Sequence, residues 1–109
     1  MTIFQKILDG DIPCDAVYED DLCLAFRDIN PIAPCHILVI PKKFLSCLSD
    51  ATPDDDGLLG HLMRVAAQVA KMDGYDDFQV LTNNGANAGQ TVFHLHLHVI
   101  AGKPIRFTA

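Results

Sequence analysis

Residues 92–100 read V-F-H-L-H-L-H-V-I, three histidines alternating with apolar residues. Side chains of a β-strand point to opposite faces with a period of two. His94, His96 and His98 therefore share one face, and Phe93, Leu95, Leu97 and Val99 the other. At the usual rise the outer histidines stand roughly 13 Å apart. The apolar face is suited to a core; three imidazoles in strict alternation call for chemistry. Imidazole titrates near pH 6.5 and is a good nucleophile at neutral pH, so a middle histidine could attack phosphorus while its neighbours hold oxygens or pass a proton. Alternate histidines can also share a zinc ion, but all three converge on one metal only if the strand bends strongly, and no carboxylate or thiolate lies within 92–100.

Ahead of this strand lies N-N-G-A-N-A-G-Q, residues 83–90. Its eight residues exceed the two to five of an ordinary hairpin connection. Gly85 and Gly89 allow a nest of backbone N–H groups around a small anion, with Asn83, Gln90 and Thr91 adding neutral donors. A phosphate held there would face the imidazoles.

The elements that must position these groups are legible in order. Residues 2–9 form a short helix, with Thr2 as N-cap and Gln5 at capping-box spacing, and Ile3, Phe4, Ile7 and Leu8 on one apolar side. Gly10 and Pro13 end it. Residues 14–19 and 22–28 are strands around the acidic turn Glu19-Asp20-Asp21. Asp28 then precedes a rigid loop holding Pro31 and Pro34. Its carboxylate suits either an Asx turn or the grip of a sugar diol. Residues 36–41 are a strand buried on both faces, opened by His36. Lys42 and Lys43 lead into one helical turn at 44–48.

The second helix has Thr52 as N-cap, Pro53 at its first position and three aspartates in the first turn, and runs to about Met72 before Asp73-Gly74. His61, Arg64, Gln68 and Lys71 form a narrow polar stripe, and His61 is given no role. Leu58, Leu59, Leu62, Met63, Val65, Ala66, Val69 and Ala70 cover about twice that arc, more than one sheet can bury, so a second copy of the chain is expected against it. Residues 77–82 and 91–101 are the last two strands. The placement of the tail is left open.

The 109 residues fit one domain, 1–109, with 102–109 as a short tail. Half the residues are apolar and a fifth charged, a globular composition. With Lys+Arg 8 against Asp+Glu 14, nothing supplies the basic stripe a nucleic acid needs. No apolar run is long enough for a membrane span. Cysteines 14, 23, 35 and 47 match no C-x-x-C pattern, and no signal peptide is evident, so reduced thiols in the cytoplasm are expected.

The run H-L-H-L-H-V-I fits the histidine triad pattern. With T-I-F-Q-K-I, I-P-C-D, Y-E-D-D-L-C-L-A-F-R-D-I, P-I-A-P-C-H-I-L-V-I-P-K-K, L-L-G-H-L and N-N-G-A-N-A-G-Q-T-V, the chain resembles the nucleotide-binding Hint branch of the histidine triad (HIT) superfamily up to about Gly102. The resemblance implies an α+β fold, a five-stranded antiparallel sheet with two helices pairing into a two-fold dimer. It implies a purine nucleoside phosphoramidase that releases AMP from adenosine 5′-phosphoramidates through a nucleotidyl-histidine. His96 would be the nucleophile, His94 would fix its orientation, His98 would bind phosphate oxygen near the leaving group, and His36 would support the triad. Asp28 would hold the ribose hydroxyls with Ile29 beside it. Asn83, Gly89, Gln90 and Thr91 would line the phosphate. Ile3, Phe4 and Phe26 would wall the purine, against the plain docking role that helical spacing favours for Ile3 and Phe4. No metal or other cofactor is needed.

The chain departs from relatives in lacking N-terminal cysteines of a structural zinc site, in carrying Thr91 where many have serine, and in its divergent tail, which leaves substrate preference open. A dinucleoside polyphosphate hydrolase of the same superfamily, and a nucleotide-binding scaffold with little turnover, are the alternatives.

Overall fold

The computed structural model describes residues 1–105. Helix α1 spans Ile3–Leu8 and α2 spans Asp56–Met72. Strands β1 (Ala16–Glu19), β2 (Cys23–Arg27), β3 (Cys35–Pro41), β4 (Gln79–Leu81) and β5 (Leu97–Ala101) form one antiparallel sheet in the order β1-β2-β3-β5-β4. Single 3₁₀ turns occupy Leu48–Asp50, Pro53–Asp55 and Ala86–Ala88. Among the described residues no helix is long and apolar enough to cross a membrane. The rest of the tail, 106–109, lies outside the described residues.

Both helix starts follow their capping sequences. Thr2 Oγ1 accepts from the N–H of Gln5 at 3.2 Å, and Gln5 Oε1 accepts from the N–H of Thr2 at 2.9 Å. Thr52 and Asp55 form the same box, but it caps the 3₁₀ turn Pro53–Asp55, from which α2 continues at Asp56. Gly74, at φ +93°, closes α2, and the N–H of Tyr75 reaches the carbonyl of Ala70.

All seven residues of β3 are buried, because both faces of the sheet are covered there. One face carries Cys23, Ala25, Ile37, Val39, Leu97 and Val99 against Leu62, Val65, Ala66, Val69 and Ala70 of α2. Each large aliphatic side chain buried in this layer contributes about 1.5–3 kcal/mol. The other face carries Leu24, Phe26, Leu38 and Ile40 under Phe4 of α1. Residues opposite each other in a ladder share a face. The pairings His36↔Ile100 and Leu38↔His98 therefore put His36 and His98 on the α1 side. Arg27 at the end of β2 clasps Asp73 beyond α2 in a two-pronged ion pair, Nη2 to Oδ1 at 2.6 Å and Nη1 to Oδ2 at 3.2 Å.

Three sequence expectations are corrected. The strand expected over 91–101 joins the ladder only from Leu97, because the N–H of Leu95 donates instead to the carbonyl of Leu45 at 2.7 Å. Leu95, Leu97 and Val99 reach the α2 core as alternation requires, but Phe93 lies on the diverging segment and is exposed. The helical turn expected at 44–48 falls later, at Leu48–Asp50, since Phe44 and Leu45 serve the histidine segment. On α2, Leu58 and Leu59 are partly covered, and Met63 is left 53% exposed.

Candidate active site

The bend at 92–96 decides the site. Because this segment leaves the ladder, its polar groups take other partners. His94 is fully buried between the edges of Phe4 and Phe44, with centroids at 6.1 and 5.4 Å. Its Nε2–H donates to the carbonyl of Pro41 at 3.0 Å; a carbonyl only accepts, so the ring carries its proton on Nε2. Its Nδ1 has no hydrogen-bond partner among the described residues. His96 donates from Nδ1 to the carbonyl of His94 at 2.7 Å, which leaves its Nε2 lone pair unprotonated. Phe4 packs edge-on against His96 at 5.0 Å and against Phe26 at 5.6 Å. The carbonyl of His96 accepts from Thr82 Oγ1 at 2.8 Å.

His98 lies beside His96, ring centroids 4.9 Å apart, and meets His36 across the β3–β5 ladder, Nδ1 to Nε2 at 3.0 Å. His36 Nδ1 accepts the backbone N–H of Ile32 at 3.2 Å. In neutral His36 the proton is therefore on Nε2 and points to His98 Nδ1, which leaves His98 its own proton on Nε2. Asp28 Oδ2 lies 3.4 Å from the same His36 Nε2, while Asp28 Oδ1 accepts the N–H of Asn30 at 2.8 Å. The N–H of Asp28 continues the ladder to the carbonyl of His36 at 3.0 Å, which places this carboxylate beside the imidazoles.

Burial holds all four imidazoles below the ordinary histidine range. It is the leading cause for His94 and His96, and outweighs the opposing pull of Asp28 on His36. His98 is pushed down to about 4 by burial, then by His96 and His36. At neutral pH the cluster is uncharged, and His96 presents a free lone pair.

The glycine loop differs from the open nest its sequence suggests. Gly85 and Gly89 have φ near +94° and +95°, and Gly89 takes the left-handed conformation of a nest while Gly85, at ψ 157°, does not. The N–H groups of Ala88, Gly89 and Gln90 nevertheless bond to carbonyls of the loop itself. Gln90 is buried and its amide is fully engaged: Oε1 accepts from Gly85 N–H at 2.7 Å, and Nε2 donates to the carbonyls of Ser46 at 2.7 Å and Val92 at 3.0 Å. Gln90 thus braces the loop against the Phe44–Cys47 segment rather than offering its side chain to an anion. Asn83 is half-buried against Gly89, where a Cβ would meet its amide at 3.4 Å. Thr91 is exposed. Phe4 and Phe26 are buried beside the triad, whereas Ile3 and Ile29 are exposed, Ile29 by 87%.

Several contributors escaped sequence reasoning. Phe44 and the backbones of Ile32, Pro41 and Leu45 act through folded contacts that no motif marks; the proline-rich loop of Ile32 signalled only rigidity. His61 does have a partner, Asp20 at 2.6 Å, which ties α2 to the β1–β2 turn. Two groups among the described residues bring three potential metal donors within 4.8 Å of one another, Asp20–Cys23–His61 and Asp28–His36–His98; neither contains His94 or His96. A cavity of about 580 Å³ beside β4, lined by residues 74–79 and 100–104, includes none of the histidines.

This antiparallel sheet with its histidine cluster is the architecture of a known class. The HIT domain matches residues 9–105, and the chain belongs to the HIT family. It is 60% identical over 104 residues to an uncharacterized HIT-like protein of Synechocystis, covering 94% of this chain and 91% of that one. It is 42% identical over 106 residues to the purine nucleoside phosphoramidase of Escherichia coli, covering 95% and 89%. Among solved structures, a HIT family hydrolase from Legionella pneumophila superposes with a TM-score of 0.93 at 38% identity, covering 98% of this chain and 97% of that one.

Proposed function

We propose that this chain is a purine nucleoside phosphoramidase that cleaves adenosine 5′-phosphoramidates to AMP and an amine. The observation that carries the reading is the His96 Nδ1–H bond to the carbonyl of His94, which leaves Nε2 as the nucleophilic atom. The 42% identity to the Escherichia coli phosphoramidase supports the substrate class.

His96 Nε2 attacks the α-phosphorus and forms a P–N bond as the bond to the leaving amine breaks. The neighbouring His98 bonds the phosphate through its Nε2–H and passes that proton to the leaving nitrogen, so the amine departs neutral. Water then cleaves the nucleotidyl-histidine, its oxygen going to phosphorus and its proton back to His98, releasing AMP and restoring His96. Asp28 holds the ribose hydroxyls. Phe4 and Phe26 form the buried floor of the purine site, with Ile3 and Ile29 as its exposed walls. Asn83, Gly89 and Thr91 border the phosphate, and Gln90 keeps their loop in place. None of these steps needs a metal or other cofactor.

A second copy of the chain covers the α2 face that leaves Met63 exposed. All four cysteines are free, in keeping with a reducing, cytoplasmic setting.

The test is AMP release from adenosine 5′-phosphoramidate without added metal. The parent turns over, and His96→Ala loses on the order of 10⁴-fold or more, the scale of losing a covalent nucleophile. Full activity in His96→Ala would remove the assignment. Binding of AMP without turnover by the parent would favour a scaffold.

A further inference from the structure

The carbonyl of His96 lies where the sheet stops. On the β4 side the pairing ends at Leu81↔His98, and the same register carried on would set Asn83 opposite His96. Strand β4 closes at Leu81, however, and the chain turns off into the glycine loop. Within a sheet a carbonyl takes its hydrogen bond from the N–H of a neighbouring strand. Here a side chain is the donor: the Thr82 hydroxyl meets the His96 carbonyl at 2.8 Å. A valine of the same shape could not make that bond.

Three hydrogen bonds then frame His96. The Leu95 N–H, donating to the Leu45 carbonyl at 2.7 Å, fixes the chain just before it. The ring donates from Nδ1 to the His94 carbonyl at 2.7 Å. Thr82 fixes the peptide just after it. Leu97 is already paired with Val39 in the β3–β5 ladder, so a turn about the Cα–C bond of His96 swings the imidazole rather than the strand. The Thr82 bond blocks that turn. Thr82 is half-buried, and its branched Cβ restricts the directions its hydroxyl can take. Of the three bonds, this is the one that substitution can remove without touching a histidine ring or the backbone.

From this geometry we infer that Thr82 is a positioning residue for His96: by holding the His96 carbonyl, its hydroxyl keeps the ring in line with the His94 carbonyl and Nε2 presented in one direction. The inference rests on the reading of His96 as the nucleophile. Thr82 also immediately precedes Asn83, so one residue ties the backbone of His96 to the loop proposed to border the phosphate. Loss of the hydroxyl would therefore slow the chemical step more than it weakens substrate binding.

The test compares Thr82→Val, Thr82→Ser and Thr82→Ala with the parent. Threonine and valine differ by the hydroxyl at constant shape, and serine and alanine by the hydroxyl alone, so either pair decides the matter should a member of the other fail to fold. Two quantities are read: kcat and KM for adenosine 5′-phosphoramidate, and the ¹⁵N resonances of the His96 ring in the free protein at neutral pH. Valine and alanine are expected to lower kcat on the order of 10–100-fold, the scale of a reacting group misplaced by about 1 Å, with KM little changed. Their two ring resonances should move toward each other, because a ring without its fixed bond samples both tautomers. Serine should keep the kcat and the spectrum of the parent. A hydroxyl that serves the fold alone would lower the urea midpoint and leave both readings as they were. An unchanged kcat or an unchanged tautomer in the valine and alanine variants, or a serine variant as impaired as alanine, would overturn the inference. Absence of turnover in the parent would instead overturn the nucleophile reading, and the ring spectra would still decide whether Thr82 positions His96.

Discussion

His96 donates its Nδ1 proton to the carbonyl of His94, two residues earlier, at 2.7 Å. The chain can make this bond because residues 92–96 have left the β-ladder, which frees that carbonyl from strand pairing. One local departure from regular structure thus selects the tautomer of the central imidazole.

The pH profile follows from the same burial. In the proposed mechanism His96 attacks only as a neutral ring, and its titration lies below the ordinary value near 6.5, with His98 at about 4. The kcat/KM profile should stay flat from pH 8 to below 6.5 and fall only at lower pH. An acidic limb centred at or above 6.5 would contradict the burial.

Stability should depend on pH with the same sign. Between pH 6.5 and about 4 the unfolded chain protonates His98 while the folded chain does not, so the unfolded state binds more protons. The contribution is complete above 6.5 and is lost as pH falls through that window. Each such proton is worth about 1.4 kcal/mol per pH unit, checked by urea unfolding at pH 7.5 and 5.

Phe4 joins α1 to Phe26, His94 and His96. Phe4→Ala should cost about 3–5 kcal/mol in urea unfolding. Activity should fall in the residual folded fraction too, because both rings lose the packing that orients them.

Gln90→Glu should be worse than Gln90→Met. The glutamate would set a charged oxygen against the carbonyls of Ser46 and Val92, which now accept from the amide. A buried carboxylate facing acceptors costs several kcal/mol or takes up a proton, whereas methionine forfeits the hydrogen bonds at about 1–3 kcal/mol per orphaned group. Chemical denaturation of the pair gives the order.

Gly89→Ala combines a φ of +95° with a Cβ at 3.4 Å from the Asn83 amide. About 1–2 kcal/mol of backbone strain is expected. Thermal melting should register that loss, and KM should rise as Asn83 shifts.

Local chemistry determined much of this protein from its sequence alone. Thr2 and Gln5 capped α1, Gly74 closed α2, and the alternation of Leu95, Leu97 and Val99 sent them to the core, because caps, positive-φ glycines and strand parity depend only on near neighbours. The histidine spacing likewise marked the strand that carries the candidate site. Register across strands lay beyond such reading: the meeting of His36 with His98, 62 residues apart, follows from the β3–β5 pairing. So did the engagement of Gln90 and the proton positions on His94 and His96, since their partners are backbone carbonyls, which every residue carries and no motif distinguishes. Tertiary structure decided which of those carbonyls came within reach, and so which nitrogen of each imidazole was left unprotonated.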